Sequence, residues 1–218
     1  MQLAERVQVR KTPALSLLCY RAKNLYNLAN FYVRQELFHL ENVLTYFDLD
    51  FMLRGQPAYQ VLPAQTAQQV LRQVAGDWRS FFAASRAYRQ DPKRFLGAPR
   101  PPRYKPSGGE SVAIFTKQQC RIAGGSVHFL RKTGVPPVRT RVTTFQQVRV
   151  VPRGIYYVIE IVYNFKPKDL GLDKRRVLGV DLGVNNLITA ANNVGVPPFA
   201  NKGGASKSIN QFFNKRLA

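Results

Sequence analysis

The hydrophobic period of this chain shifts in its middle, and that shift limits what it can fold into. From about residue 13 to 90 apolar side chains return every three or four positions; from Ser111 they return every second position. The first spacing belongs to helices and the second to strands. Between them lies GAPRPPRYKPSGGES, residues 97–111, rich in Pro, Gly and basic side chains. Proline removes amide donors and fixes φ, so this stretch reads as an extended linker.

Before the linker the pattern gives a short strand, ERVQVRK, and then helices. Thr12-Pro13 reads as an N-cap followed by proline at the first helical position. Leu18, Ala22, Leu25, Ala29 and Tyr32 follow at helical spacing, and the helix should run to about Phe38. Part of 41–54 should form a second helix, ending near Gly55-Gln56-Pro57. After Leu62-Pro63 the third helix is the clearest. Ala67, Leu71, Val74, Trp78, Phe81, Ser85 and Tyr88 keep heptad spacing and should make one buried seam. Trp78 and Phe81 are therefore read as core, not as base-stacking platforms. Arg72, Arg79 and Arg86 recur every seven residues and share another stripe. That stripe can lie along a phosphate backbone, or it can be an ordinary solvated face.

Within the linker, Arg100, Arg103 and Lys105 flank Tyr104. Cations interleaved with an aromatic ring suit a contact that tracks a nucleic-acid backbone. The alternative is a basic linker that binds nothing. Beyond it VAIFT, CRIAG, SVHFL, VRVVP and GIYYVIEIVYNF read as five strands joined by turns such as Gly124-Gly125. In the last of them Ile155, Tyr157, Ile159, Ile161, Tyr163 and Phe165 should share one face. Short strands with basic residues between them suggest a small antiparallel barrel of the kind that binds oligonucleotides. A charged linker, Lys166 to Arg176, marks a domain boundary.

Then comes VLGVDLG, an apolar strand that should bury one acid, Asp181, followed by a returning strand from Ile188 and a turn at NNVG. SKSINQFFNKRLA should be a helix capped by Ser206 or Ser208, with Ile209, Phe212, Phe213 and Leu217 as an apolar side wanting a sheet to cover. A carboxylate at the end of a first strand, aimed across a hairpin, is where a two-metal phosphodiesterase places its first ligand. Two divalent ions demand several oxygen ligands, so at least two further carboxylates are needed. Glu160, Asp169 and Asp173 all lie upstream. The chain thus offers one ligand of such a site. The plainer alternative is a structural carboxylate at a strand end or turn.

Charge decides the partner class. The chain has 33 Lys+Arg against 12 Asp+Glu, a net charge of +21, and 101–176 is its most basic part. Such an excess repels itself unless an anion is bound, and nucleic acid is the usual one. No run of about 18 apolar residues spans a bilayer and no signal-peptide core opens the chain, so the expectation is a cytoplasmic or nucleoid-associated protein with no membrane partner. The two cysteines, Cys19 and Cys120, are too far apart for a C-x-x-C pair and are expected to be reduced thiols, with no zinc site in this chain.

Taken as a set, several segments resemble one family. VLGVDLGVNNLITAANN with SKSINQFFNKRLA is similar to the first RuvC motif, and the segment after it, of TnpB, the transposon-encoded RNA-guided nuclease related to CRISPR type V effectors. LPAQTAQQVLRQVAGDWRSFFAA, the Pro102–Lys105 segment PRYK, FTKQQCRI and VRVVPRGIYYVIEIVYNF resemble the family's earlier segments in the same order. The family's usual Pro-Leu pair is Ala205-Ser206 here, after Asn201-Lys202-Gly203-Gly204.

The resemblance implies an α+β chain: a helical recognition domain inserted in a small antiparallel oligonucleotide-binding barrel, then the first strands of an incomplete ribonuclease-H-like (RuvC) domain. The implied boundaries are 1–11 for the first barrel strand, 12–96 for the helical recognition domain and 97–111 for the basic linker. The barrel follows at 112–168, a linker at 169–176 and the N-terminal part of RuvC at 177–218. It implies guide RNA and target DNA as partners, and Asp181 as the first ligand for Mg2+ in a completed RuvC site. The family's Glu, second Asp and zinc cysteines have no counterpart here, and its members are much longer. The chain alone is therefore expected to be inactive, with a second polypeptide supplying the rest. The alternative is a catalytically dead nucleic-acid-binding protein, or a decayed transposase fragment without activity.

Overall fold

A computed structural model describes residues 1–40, 42–167, 171–183 and 185–217, and the chain divides into two units, Met1–Lys166 and Pro167–Ala218. Asp169, Ala218 and part of the linker expected over 169–176 lie outside the described residues. Together the two units make a mixed α+β chain whose sheets are all antiparallel.

The first unit opens with strand β1 (Gln2–Arg10) and turns at once into helix α1 (Pro13–Leu40). The turn follows from Thr12-Pro13. The Thr12 hydroxyl accepts the Leu15 N–H at 3.4 Å, and Pro13 needs no donor at the first helical position. Helix α2 (Tyr46–Leu53) carries a capping box in which Thr45 and Asp48 satisfy each other's backbone N–H groups. A one-turn helix, α3 (Pro57–Gln60), was not legible in the sequence; it leads into α4 (Ala64–Gln90). Leu18, Ala22, Leu25, Ala29 and Val33 of α1 join Ala67, Leu71, Val74 and Trp78 of α4 in one core. The heptad seam of α4 is buried through Trp78 and only half-buried at Phe81, Ser85 and Tyr88, where the helix outruns its neighbours.

The strands after the linker are β2 (Ala113–Thr116), β3 (Cys120–Ala123), β4 (Ser126–Phe129), β5 (Val138–Arg139), β6 (Gln147–Pro152) and β7 (Tyr156–Asn164). β5, only two residues long, carried no readable alternation. Gly124 and Gly125, at φ +55° and +66°, form the tight turn between β3 and β4, a conformation that glycine adopts without strain. Among the described residues the strands pair as two separate sheets, β1-β7-β6-β2 and β3-β4-β5, rather than as the one continuous barrel expected over 112–168. β1 pairs with β7 along its whole length, Gln2 opposite Asn164 to Arg10 opposite Tyr156, so residues 1–11 do supply an edge strand. The face expected on β7 is buried only at Tyr157, Ile159 and Ile161. Ile155 and Phe165 are exposed because they lie just beyond the two ends of the strand, past the packed part of the sheet.

The second unit holds β8 (Leu178–Asp181), β9 (Asn186–Asn192), β10 (Phe199–Lys202) and helix α5 (Gly204–Leu217), with strand order β10-β9-β8. The NNVG turn lies between β9 and β10, where the Asn192 side chain accepts the N–H groups of Val194 and Val196. Two expectations are corrected. β8 is exposed at all four positions, so its apolar residues are not core and Asp181 is not buried. α5 begins before Ser206: the Gly203 carbonyl accepts the Lys207 N–H, and Ser208 bonds back to the Gly204 carbonyl, so neither serine is the cap. Ile209, Phe212 and Phe213 are exposed, as a helix with an uncovered apolar side must be. No helix among the described residues is long and apolar enough to cross a membrane.

Candidate nucleic-acid interface

From Pro102 to Ser111 the linker is not free: it is fastened to α1 by residues at helical spacing, Cys19, Lys23, Asn27, Asn30 and Arg34. The Cys19 carbonyl accepts the Ser111 N–H at 3.0 Å. Lys23, almost fully buried, donates to the Ser107 carbonyl and sits 4.2 Å from the Tyr20 ring. Asn27 Nδ2 donates to the Lys105 carbonyl and Asn27 Oδ1 accepts the Lys105 N–H. Asn30 and Arg34 both donate to the Pro102 carbonyl, at 3.2 and 2.9 Å. A proline-rich backbone pairs little with itself, here only where the Gly109 N–H reaches the Pro106 carbonyl among the described residues, so the helix supplies the other partners. The result is a strap of fixed conformation.

That strap sets out the cations expected from the sequence. Arg100 and Arg103 are exposed and make no ion pair among the described residues. Tyr104 is half-exposed, and the Arg34 guanidinium stands 5.2 Å from its ring. Arg34 is also about 6 Å from the rings of Phe38 and Trp78. Lys105 differs from its neighbours: its ammonium lies over the Tyr26 ring at 4.3 Å, and its backbone is held by Asn27. Tyr26 in turn donates to Asp77 at 2.7 Å, and burial, then that carboxylate, pushes its pKa up.

On α4 the stripe of Arg72, Arg79 and Arg86 is exposed. Arg72 lies over the Tyr46 ring at 4.4 Å, a contact a guanidinium makes well because its plane is weakly hydrated. Arg79 and Arg86 border a cavity of about 210 Å³ between α4 and the start of α2. Trp78 is common to both sets of cations. It meets Arg34 on one side and lines that cavity on the other, and its indole N–H is satisfied by Asn30 Oδ1 at 2.8 Å.

Sequence reasoning missed Lys23, Asn27, Asn30, Arg34 and Tyr46. The signal for the first four was present as polar residues recurring along an otherwise apolar helix. It also missed a second basic cluster, in which Arg121 of β3 faces His128 of β4, and both line a depression of about 520 Å³ with Arg131.

Asp181 stands elsewhere, at the exposed end of β8 opposite Thr189. It has no ion-pair partner among the described residues, and no three His, Cys, Asp or Glu side chains cluster there or anywhere else among them. Asp173 accepts the Arg175 N–H and pairs with Arg176 at 3.6 Å. Glu160 belongs to the other unit and is paired with Arg6 and Arg149. One exposed carboxylate does not meet the ligand demand of two divalent ions. Burial pushes the thiols of Cys19 and Cys120 each up to about 12, and Cys19 donates its S–H to the Val150 carbonyl.

No family model matches the chain, and no curated protein matches it. Two solved structures are similar in shape. One is a cryo-EM structure of a CRISPR-Cas12f ternary complex, at 10% identity and a TM-score of 0.45, covering 93% of this chain and 51% of that one. The other is a Cas12f1-sgRNA-target DNA complex, at 11% identity and a TM-score of 0.40, covering 99% of this chain and 61% of that one. The chain thus spans about half to three-fifths of the length of the chains it resembles.

Proposed function

We propose that the chain is the N-terminal portion of a TnpB-like, RNA-guided DNA endonuclease. In this reading Met1–Lys166 binds guide RNA and target-adjacent DNA, and Asp181 is the first metal ligand of a RuvC site whose other carboxylates lie outside this chain. The observation that carries the binding half is the fastened strap. It holds the main chain at Pro102 and Lys105, and so sets out Arg103 and Tyr104 from an ordered backbone, on a unit that also bears Arg72, Arg79 and Arg86. A backbone already ordered loses little further entropy on meeting phosphates, which favours a backbone-tracking contact.

For the catalytic half, Mg2+ belongs only to a completed site. The exposed apolar side of α5, Ile209, Phe212 and Phe213, and the edge of β8, unpaired among the described residues, are surfaces on which a further polypeptide segment could add strands and the missing Glu and Asp. A second reading, a nucleic-acid-binding protein without catalysis, is favoured by the isolation of Asp181 among the described residues.

The test is binding of a dye-labelled structured RNA across a NaCl series, with supercoiled DNA and Mg2+ present in a parallel assay. Tight binding that weakens linearly in log salt, with no nicking by this chain alone, is the expected result. Binding that is absent, or indifferent to salt, sinks the reading. Nicking that appears only on adding a polypeptide with the remaining carboxylates, and disappears in Asp181→Ala, selects the endonuclease over the binding protein.

A further inference from the structure

We infer that the cavity between α2 and α4 receives one unstacked nucleobase from a single strand, with its phosphates on Arg79 and Arg86. The inference rests on the nucleic-acid-binding reading above and adds to it the form of nucleic acid and the place of insertion.

The lining has two parts. Its floor and walls are Val43, Leu44, Tyr46, Ala75, Trp78 and Phe82, and its rim carries Arg79 and Arg86. The polar groups within the walls are already engaged. The Thr45 hydroxyl is held by Asp48 in the capping box, and the Trp78 N–H by Asn30. What faces the cavity is therefore carbon and ring surface. The rim is the reverse, two exposed guanidinium groups with no ion pair among the described residues.

A flat ring joined to an anion fits that division. The ring loses water against Tyr46 and Phe82, and the anion stays at the arginines. An apolar peptide side chain would use the floor and leave the cations idle. A paired base is already stacked above and below and cannot enter, so a duplex would use only the rim. Tyr46 is also held from outside by Arg72, which lies on its ring and reaches its hydroxyl at 3.4 Å. The wall itself is rigid, since α2 is capped at its start and anchored by Leu49 and Leu53, both fully buried. Base-on-ring stacking is tolerant of base identity, so the site should not select one base strongly.

Trp78 is the chain's sole tryptophan and lines this cavity, so its fluorescence reports on what enters it, with the abasic strand as the control for binding near Arg34. The full chain is titrated with three dye-labelled ligands: a single-stranded oligouridylate, an abasic strand of the same length, and a fully paired RNA duplex. Anisotropy reads binding and Trp78 emission reads insertion. The expected result is that all three bind, while only the oligouridylate quenches Trp78. Ala75→Met, which fills the cavity, should abolish the quench and weaken oligouridylate by about tenfold, leaving the abasic strand unaffected. Tyr46→Ala should weaken oligouridylate in the same way, and helical circular dichroism confirms that both variants are folded. Equal quenching by the abasic strand or the duplex overturns the inference, as does bound oligouridylate that leaves Trp78 unchanged. If none of the three binds at low salt, the nucleic-acid reading itself fails and the inference falls with it.

Discussion

The side chain of Asn27 pairs with the backbone of Lys105 in both directions: its Nδ2 donates to the Lys105 carbonyl at 2.9 Å, and its Oδ1 accepts the Lys105 N–H at 2.8 Å. One amide thus imitates a neighbouring strand for a segment whose prolines deny it any other. The placement of Arg103 and Tyr104 depends on that pair and on Asn30 and Arg34 at Pro102.

Asn27→Ala should therefore loosen the strap without disturbing the helical core. Two hydrogen bonds are lost, at about 1 kcal/mol each, so the urea midpoint should fall by the equivalent of about 2 kcal/mol. Trypsin should then cut after Arg103, the one strap cation here not followed by proline, well before it cuts elsewhere. A strap that stays resistant to trypsin in this variant would show that Asn27 does not hold it.

Glu160 of β7 faces Arg6 of β1 and Arg149 of β6 directly across the sheet, with N–O distances of 3.2 and 3.8 Å. The carboxylate is nearly buried and offsets the repulsion between two like charges on the flanking strands. Glu160→Gln keeps the shape and removes the charge. It should cost about 1–3 kcal/mol, and added salt should recover part of the loss by screening Arg6 from Arg149. A loss that salt does not touch would assign the effect to packing instead.

Much of this was readable in advance, and the failures have physical causes. Ala67, Leu71, Val74 and Trp78 announced a buried helix face because their spacing matches the helix period. The strands β2, β3, β4, β6 and β7 fall where the alternation placed them, while β5 is too short to show one. The strap was legible on one side only: polar residues recur along α1, but what they bind, the backbone carbonyls of Pro102, Lys105 and Ser107, leaves no side-chain pattern. Apolar character was also misleading in one place: Leu178 and Val180 read as core but stand exposed on β8, since an apolar strand is buried only if something lies over it. The cavity beside Arg79 and Arg86 needed the position of α2, which sequence periodicity cannot supply.

The α4 stripe gives a quantitative prediction. Arg72, Arg79 and Arg86 are exposed, so changing all three to Gln should cost only about 1 kcal/mol, from the lost Arg72–Tyr46 ring contact. If each meets a phosphate, the slope of log affinity against log salt should shrink by about 0.7 to 0.9 per contact removed, or about 2 in total. The loss should be similar for unrelated RNA sequences, because phosphates carry no sequence information. An unchanged slope would return the stripe to a solvated face.

The buried thiols and Tyr59 predict how stability depends on alkali. Burial pushes Cys19 and Cys120 from 9.0 up to about 12, and burial, then the Asp50 hydrogen bond, pushes Tyr59 from 10.0 up to about 12. Each group holds its proton in the folded state after the unfolded chain has released it. Their contribution is therefore fully present below about pH 9 and is lost as pH rises from there toward 12. Each thiol that keeps its proton alone should lower stability by about 1.4 kcal/mol per pH unit in that window. Urea unfolding at pH 8 and pH 10 measures the fall, and Cys19→Ala with Cys120→Ala should flatten it. A double variant as steep as the parent would place the alkaline loss on other groups, namely the tyrosines Tyr26, Tyr59 and Tyr157, whose protons burial also holds.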